Sequence, residues 1–235
     1  ANRHYKSIIE YLSKEKIATV SDLEKACKVK SGGHLTDVLV DLEKCGFILR
    51  YTPLHRSEGG KLRRYAIDDE YLLFYNRFIR PVKKRIESGD YRQHPEKALN
   101  RMNLDQVMGY SFERWCRKNH SLFARIMGFS GVEYESGSFF DRKSCRIDRG
   151  FQIDLMYIIK GSKIIICEVK YGPGGVHAGL YGQMVERRDL FLQSLPKYRN
   201  YTFETALITT ERGEQDLTEF DHVIPLEDIC DDRYW

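Results

Sequence analysis

Residues 151–172, FQIDLMYIIKGSKIIICEVKYG, restrict the fold of this chain more than any other stretch. The apolar runs are short, rich in β-branched residues and separated by Lys160-Gly161-Ser162-Lys163, which is turn chemistry. The segment therefore predicts a strand from Phe151 to Ile159, a tight hairpin, and a second strand from Ile164 to Tyr171. Ile164-Ile165-Ile166-Cys167 is apolar without alternation, as in a strand buried on both faces of a covered sheet. Charges emerge directly from its end. Asp154 lies near the start of the first strand and Glu168 near the end of the second, so antiparallel pairing brings both carboxylates to one end of the sheet. Side chains alternate along a strand, so Glu168 and Lys170 share a face while Val169 points to the other.

The flanking sequence supplies covering elements. Leu104 to Asn119 reads as a helix with Val107, Met108, Phe112, Trp115 and Cys116 on one side and Glu113 in its middle. Val132-Glu133-Tyr134 predicts a short strand, followed by a basic loop from Arg142 to Arg149. YTFETALITT predicts a further strand through Thr205, Ala206, Leu207 and Ile208, and HVIPLEDI a last short strand running into a helix started near Pro225. Gly172, Gly174, Gly175 and Gly179 make a flexible loop that could admit a substrate; His177 in it reads as an ordinary exposed loop histidine.

At 235 residues the chain suits one large domain or two small ones, at roughly 100 to 200 residues each. The pattern before residue 105 favours two. Tyr5, Ile8, Ile9 and Leu12 recur at helical spacing, and Val20-Ser21-Asp22 offers an N-cap before Leu23, Ala26 and Cys27. After the break at Ser31-Gly32-Gly33-His34, Leu35, Val38, Leu39 and Leu42 predict a third helix closed by Cys45-Gly46. Phe47 to Tyr51 and Arg63 to Ile67 then form a β-hairpin around Ser57-Glu58-Gly59-Gly60. Three helices and a hairpin make a winged helix-turn-helix over residues 1–68. Residues 69–104 form a helical connector: acids precede YLLFYNRFIRPVKKRI, whose Leu72, Leu73, Tyr75, Phe78 and Ile79 give an apolar face that Pro81 should stop or kink. Residues 105–235 form the remaining domain.

Charge is uneven. The net is only +4, yet residues 50–64 carry Arg50, Arg56, Lys61, Arg63 and Arg64 against Glu58, whereas the last 25 residues carry nine acids against Arg212 and Arg233. A basic wing suits phosphate contacts, and so would Lys83, Lys84 and Arg85, although solvated helix faces produce similar runs. The third helix is unlike a groove-reading helix, because Asp37, Asp41 and Glu43 oppose only Lys44. Protein packing is the alternative use for it. The six cysteines contain no Cys-x-x-Cys pair and read as small buried residues, Cys45, Cys116 and Cys167 each lying inside an apolar run. No phosphate loop or dinucleotide fingerprint is present, so no nucleotide is expected on this chain. No apolar stretch approaches the roughly 20 residues of a membrane span, and no signal-peptide core precedes the first helix, which makes the cytoplasm the expected address. Residue 1 is Ala, which suggests a fragment of something longer.

Two resemblances sharpen these expectations. The order SDLEKACKVKSGGHLTDVLVDLEKCGFILRYTP...KLRRYAI, with DDEYLLFYNRFIRP after it, resembles the segment that follows the ATPase module in the archaeal-type AAA+ ATPase family. The resemblance spans nearly the whole chain and implies an upstream ATPase module as a partner. Asp followed at hairpin distance by Glu-x-Lys, with a Glu on a preceding helix, resembles the PD-(D/E)xK nuclease superfamily. That resemblance implies a restriction-endonuclease-like mixed-sheet domain with Asp154 and Glu168 as metal ligands, Lys170 as the catalytic lysine and Glu113 as the helix glutamate some members add. In AGLYGQMVERRDLF, Gln183 matches the glutamine several members place beside the site. The proline-aspartate pair that names the superfamily is replaced here by Ile153-Asp154.

The physical case runs alongside. Two carboxylates about 4 Å apart repel by about 1 kcal/mol in water and about 4 kcal/mol at an effective dielectric near 20, a cost that Mg²⁺ or Mn²⁺ removes. Such an ion keeps several waters and can position one for attack on a phosphodiester, while Lys170 stabilises the developing charge. The expectation is metal-dependent hydrolysis of DNA. Its rival is a non-catalytic DNA-binding or protein-docking module of an ATPase, with Asp154 capping a turn and Glu168 and Lys170 forming an ordinary pair.

Overall fold

The computed structural model describes residues 3–15, 17–28, 32–52, 54, 63–99, 101–142, 148–172, 174–212 and 216–235, with backbone alone for 101–103. The chain divides into two compact units, Ala1–Thr52 with Arg56–Leu104, and Pro53–His55 with Asp105–Trp235. Among the described residues no helix is long and apolar enough to cross a membrane.

The first unit begins with helices α1 (Arg3–Lys14), α2 (Val20–Cys27) and α3 (Gly33–Lys44). Ile8 and Leu12 of α1, Leu23 of α2 and Leu35, Val38, Leu39 and Leu42 of α3 are buried together, as their helical spacing requires. The cap of α2 falls one residue before the expected segment. Thr19 accepts from the Asp22 amide, and the Asp22 carboxylate accepts from the Thr19 amide at 2.8 Å, so Thr19 and Asp22 close a reciprocal capping box. Helix α3 is followed by Gly46 at φ +73°, a left-handed residue suited to ending a helix. Strands β1 (Ile48–Tyr51) and β2 (Arg64–Ile67) pair antiparallel, and Ala18 exchanges backbone hydrogen bonds with Tyr65 at 2.9 and 2.8 Å.

Asp69 caps α4 (Glu70–Phe74) through the Leu72 amide at 2.7 Å. A π turn over 75–79 and a 3₁₀ turn over 80–82 then carry the chain through Pro81 into α5 (Lys83–Glu87), so the proline breaks the regular helix as expected. Several basic side chains of this stretch already have partners. Arg77 donates to the carbonyls of Ser13 and Lys14, Arg80 meets Glu10 at 2.8 Å, Lys83 meets Glu87 at 3.7 Å and Arg85 meets Asp90 at 3.0 Å.

The second unit is mixed α/β. Helices α6 (Arg101–Lys118) and α7 (His120–Ile126) lead into β3 (Tyr134–Asp141), β4 (Phe151–Ile159) and β5 (Lys163–Lys170); α8 (Leu180–Ser194) crosses to β6 (Thr202–Thr209), and β7 (His222–Ile224) leads into α9 (Leu226–Ile229). The five strands lie in the order β3-β4-β5-β6-β7, antiparallel up to β5 and parallel from β5 to β7. A parallel β5-α8-β6 crossover needs a covering helix, and α8 provides it. Alternate residues of β5 feed two cores. Ile165, Cys167 and Val169 pack with Cys116, Leu122 and Phe123 of α6 and α7, whereas Ile164 and Ile166 pack with Leu180, Met184 and Phe191 of α8. Helices thus cover both faces, which accounts for the unbroken apolar run of β5.

Three details differ from the sequence expectation. Met108 lies on the exposed side of α6, away from the buried Val107 and Cys116. Strand β3 runs from Tyr134 to Asp141, well beyond the short segment expected at 132–134. Cys45 and Cys230 are exposed and Cys27 is half-buried, so burial is confined to Cys116 and Cys167 among the described cysteines; Cys145 lies outside the described residues.

Candidate active site

The last paired rung between β4 and β5 is Leu155 with Cys167, and the β3–β4 register shifts between Gly137 and Phe139 beside the same stretch. Asp154 is the first residue past that rung. Its carboxylate accepts from the Val169 amide at 3.3 Å and from the Gln152 side-chain amide at 3.4 Å, so it binds the β5 backbone where the ladder ends. Its charge acts on both sides of β5. After burial, it is the next influence raising the Cys167 thiol, which faces α6 and α7, and it also raises the Glu168 carboxyl on the opposite side.

Glu168 has only 3% of its side chain exposed. One carboxylate oxygen, Oε1, meets Lys170 Nζ at 2.8 Å, and the other, Oε2, meets the guanidinium of Arg187 on α8. Two cations normally pull a carboxyl down. Here burial first and the charge of Asp154 second outweigh Arg187 and Lys170, and the Glu168 carboxyl is held above its ordinary range. Lys170 is gripped by the loop after it: a Cβ on Gly175 would lie 2.9 Å from Lys170 Cβ, so the close approach needs glycine.

Glu113 sits on α6 with Arg117 at 3.8 Å and acts, weakly, on the thiol of Cys116, which Asp154 also reaches. Gln183 is exposed on α8, one turn before Arg187. The structure thus brings Lys170 and Arg187 directly onto Glu168, sets Asp154 within electrostatic reach, and leaves Glu113 engaged with its own helix. Among the described residues no three His, Cys, Asp or Glu side chains converge on one point. Two carboxylate ligands still suit Mg²⁺ in kind, since that ion takes one or two protein oxygens and keeps water in its other positions.

Arg187 was not anticipated from the sequence, although a signal exists. Leu180, Met184 and Phe191 form the buried stripe of α8, and Arg187 occupies that stripe between Met184 and Phe191. A charge in a core position demands a buried partner. At the same end of the sheet, a cavity of about 770 Å³ lies beyond the carboxyl ends of β5 and β6, lined by Asp105, Tyr171, Gly172, Gly175, Thr210 and Glu211 among others.

Of the basic residues expected to contact phosphate, Arg50 pairs with Glu43 at 3.3 Å, Arg63 precedes β2 and Arg64 opens it; Arg56 and Lys61 lie outside the described residues. The outward face of α3 carries Asp37 and Asp41, the latter accepting from Tyr5 Oη at 2.5 Å.

Comparison with known proteins adds little to this. Over 80 residues the chain is 36% identical to an uncharacterized protein of Methanocaldococcus jannaschii, a match covering 34% of this chain and 17% of that protein. The matched stretch is thus about a sixth of the relative's length. No family model matches the chain, and no solved structure matches it.

Proposed function

We propose that the second unit is a PD-(D/E)xK-type phosphodiesterase acting on DNA, and that the first unit is a winged helix-turn-helix that works beside an upstream ATPase module. The observation that carries the reading is Glu168: a carboxylate with 3% of its side chain exposed, met by Lys170 on one oxygen and Arg187 on the other, whose carboxyl is still held above its ordinary range by burial first and the charge of Asp154 second. Gathering a half-buried and a buried carboxylate at one strand end costs stability and suits a function that needs the charge there. Asp154 and Glu168 would hold a hard divalent cation such as Mg²⁺ or Mn²⁺, whose chemistry there would be charge neutralisation at a phosphate and acidification of a bound water.

The chain's own residues do the rest. Lys170 presents an ammonium at the mouth of the site, oriented by Glu168 and by the Gly175 contact, and stabilises negative charge building on the phosphate. Asp154 is oriented by the Val169 backbone amide, with the Gln152 side-chain amide on its other oxygen. Arg50, Arg63 and Arg64 contribute phosphate contacts from the wing.

Supercoiled plasmid DNA tests this. The wild-type chain nicks it with Mg²⁺ or Mn²⁺ and not with EDTA, and Asp154→Ala and Lys170→Ala each reduce nicking at least about 100-fold. Nicking that survives EDTA, or that both variants retain, overturns the proposal. One observation favours a second reading: Lys170 and Arg187 together occupy both oxygens of Glu168, as in a self-contained ionic cluster of a non-catalytic docking module. Under that reading neither metal nor Asp154 affects the binding of DNA.

A further inference from the structure

A divalent ion on Glu168 would have to share the carboxylate with Arg187 and Lys170. Both of its oxygens are already engaged, and a guanidinium and a divalent cation drawn to the same carboxylate repel each other strongly in a site that is nearly closed to water. That repulsion favours the release of one of the two chain cations. Lys170 is poorly placed to leave: it stands two residues from Glu168 on the same strand, and its stem is pressed by Gly175. Arg187 differs. It reaches Glu168 from another element, α8, through a long stem, and its side chain is 26% exposed against 3% for the carboxylate it holds. Its neighbours on α8 have partners of their own, Glu186 being met by Arg149 and Arg188 by Asp189 at 3.0 Å. Arg187 alone of these α8 arginines is engaged with the buried carboxylate of another element, and its partly exposed side chain borders solvent.

We infer that Arg187 is a displaceable counter-ion: it competes with the divalent cation for Glu168 Oε2 and, once displaced, binds the nucleic-acid phosphate. This rests on the metal-dependent reading above and adds regulation to it. The planar guanidinium fork matches phosphate oxygens as well as it matches a carboxylate, so the same side chain can serve both positions. Metal binding and DNA binding are then coupled, because loss of the Glu168 contact by Arg187 is offset only when phosphate is present. Arg187 is a positioning residue for the metal and a binding residue for the substrate.

The test is calorimetric titration of Mn²⁺ into the full 235-residue chain without DNA, using wild type, Arg187→Gln, Arg187→Lys and Asp154→Ala, with melting temperatures in EDTA alongside. Arg187→Gln removes the competitor and binds Mn²⁺ about tenfold more tightly than wild type, a gain below the full pair attraction because Glu168 relaxes. Arg187→Lys, with a shorter stem, falls between the two and reads the effect if the glutamine variant does not fold. A residue that merely braces the fold gives the opposite pattern, a lower melting temperature together with unchanged or weaker Mn²⁺ binding, and that result overturns the inference while Asp154→Ala still abolishes uptake. If wild type and both Arg187 variants take up no Mn²⁺, or Asp154→Ala takes it up as wild type does, the metal-dependent reading itself falls and the inference with it.

Discussion

The two ends of the five-stranded sheet carry the same ingredients and treat them differently. At the end formed by the start of β5 and β6, Glu204 meets Lys163 and, at 3.0 Å, His222. At the other end, Glu168 meets Lys170 and Arg187. Each glutamate has two basic partners, yet their carboxyls move in opposite directions. Burial raises Glu204, but the hydrogen bonds and charges of Lys163 and His222 outweigh it and the carboxyl ends below its ordinary value of 4.5. At Glu168, deeper burial and the neighbouring Asp154 win. An ion pair that lowers its acid contributes to folding, whereas a carboxyl that stays raised beside two cations is a feature found at functional sites as well as in buried networks. That contrast separates a structural cluster from a candidate active site without reference to any relative.

The largest expected effect lies in activity. Asp154→Ala lowers metal-dependent plasmid nicking at least about 100-fold, while Glu204→Ala stays within about threefold of wild type. Equal losses would erase the distinction between the ends. Next comes the loop that grips Lys170. Gly175→Ala forces a methyl to within 2.9 Å of Lys170 Cβ and is expected to cost about 1–3 kcal/mol by denaturant melting. Gly174→Ala meets nothing within 4 Å and is the matched control.

The pH dependence of stability gives a finer test, because the two signs are opposite. Glu168 is raised, so its contribution is fully present below 4.5 and is lost as pH climbs through its higher folded value. Relative to Glu168→Gln, the wild type therefore loses stability as pH rises above 4.5. Glu204 is lowered, so its contribution is present above 4.5 and is lost as pH falls through the lower folded value. Glu204→Gln then costs about 1 kcal/mol at neutral pH and progressively less in acid. Urea melts across that range check both slopes, and parallel slopes would contradict the contrast. The smallest effect is expected from the first unit: the Arg50, Arg63, Arg64 triple alanine weakens duplex binding and flattens its salt dependence, by less than three full phosphate contacts because Glu43 already holds Arg50.

Much of this arrangement was legible in the sequence, and the failures have physical causes. The hairpin at 160–163, the buried β5 and the co-facial Glu168 and Lys170 followed from strand alternation and turn chemistry, which are local. The extent of β3 was missed because Ser136, Gly137 and Ser138 dilute its apolar pattern; the strand persists there by pairing with β4, a long-range effect. The apolar neighbours of Cys45 suggest burial, yet it follows the last turn of α3 and is exposed. Met108, one position from the buried Val107, falls off the covered face of α6. Arg187 escaped attention because its partner is nineteen positions away on another element, although its place in the buried stripe of α8 marked it as a charge in need of one.

Crystals of the chain soaked in Mn²⁺ and measured at the manganese absorption edge test the central claim most directly. The account predicts an anomalous peak within about 2.5 Å of carboxylate oxygens of both Asp154 and Glu168, with Arg187 turned away from Glu168. A crystal with manganese bound only elsewhere, and Arg187 still seated on Glu168, would contradict it.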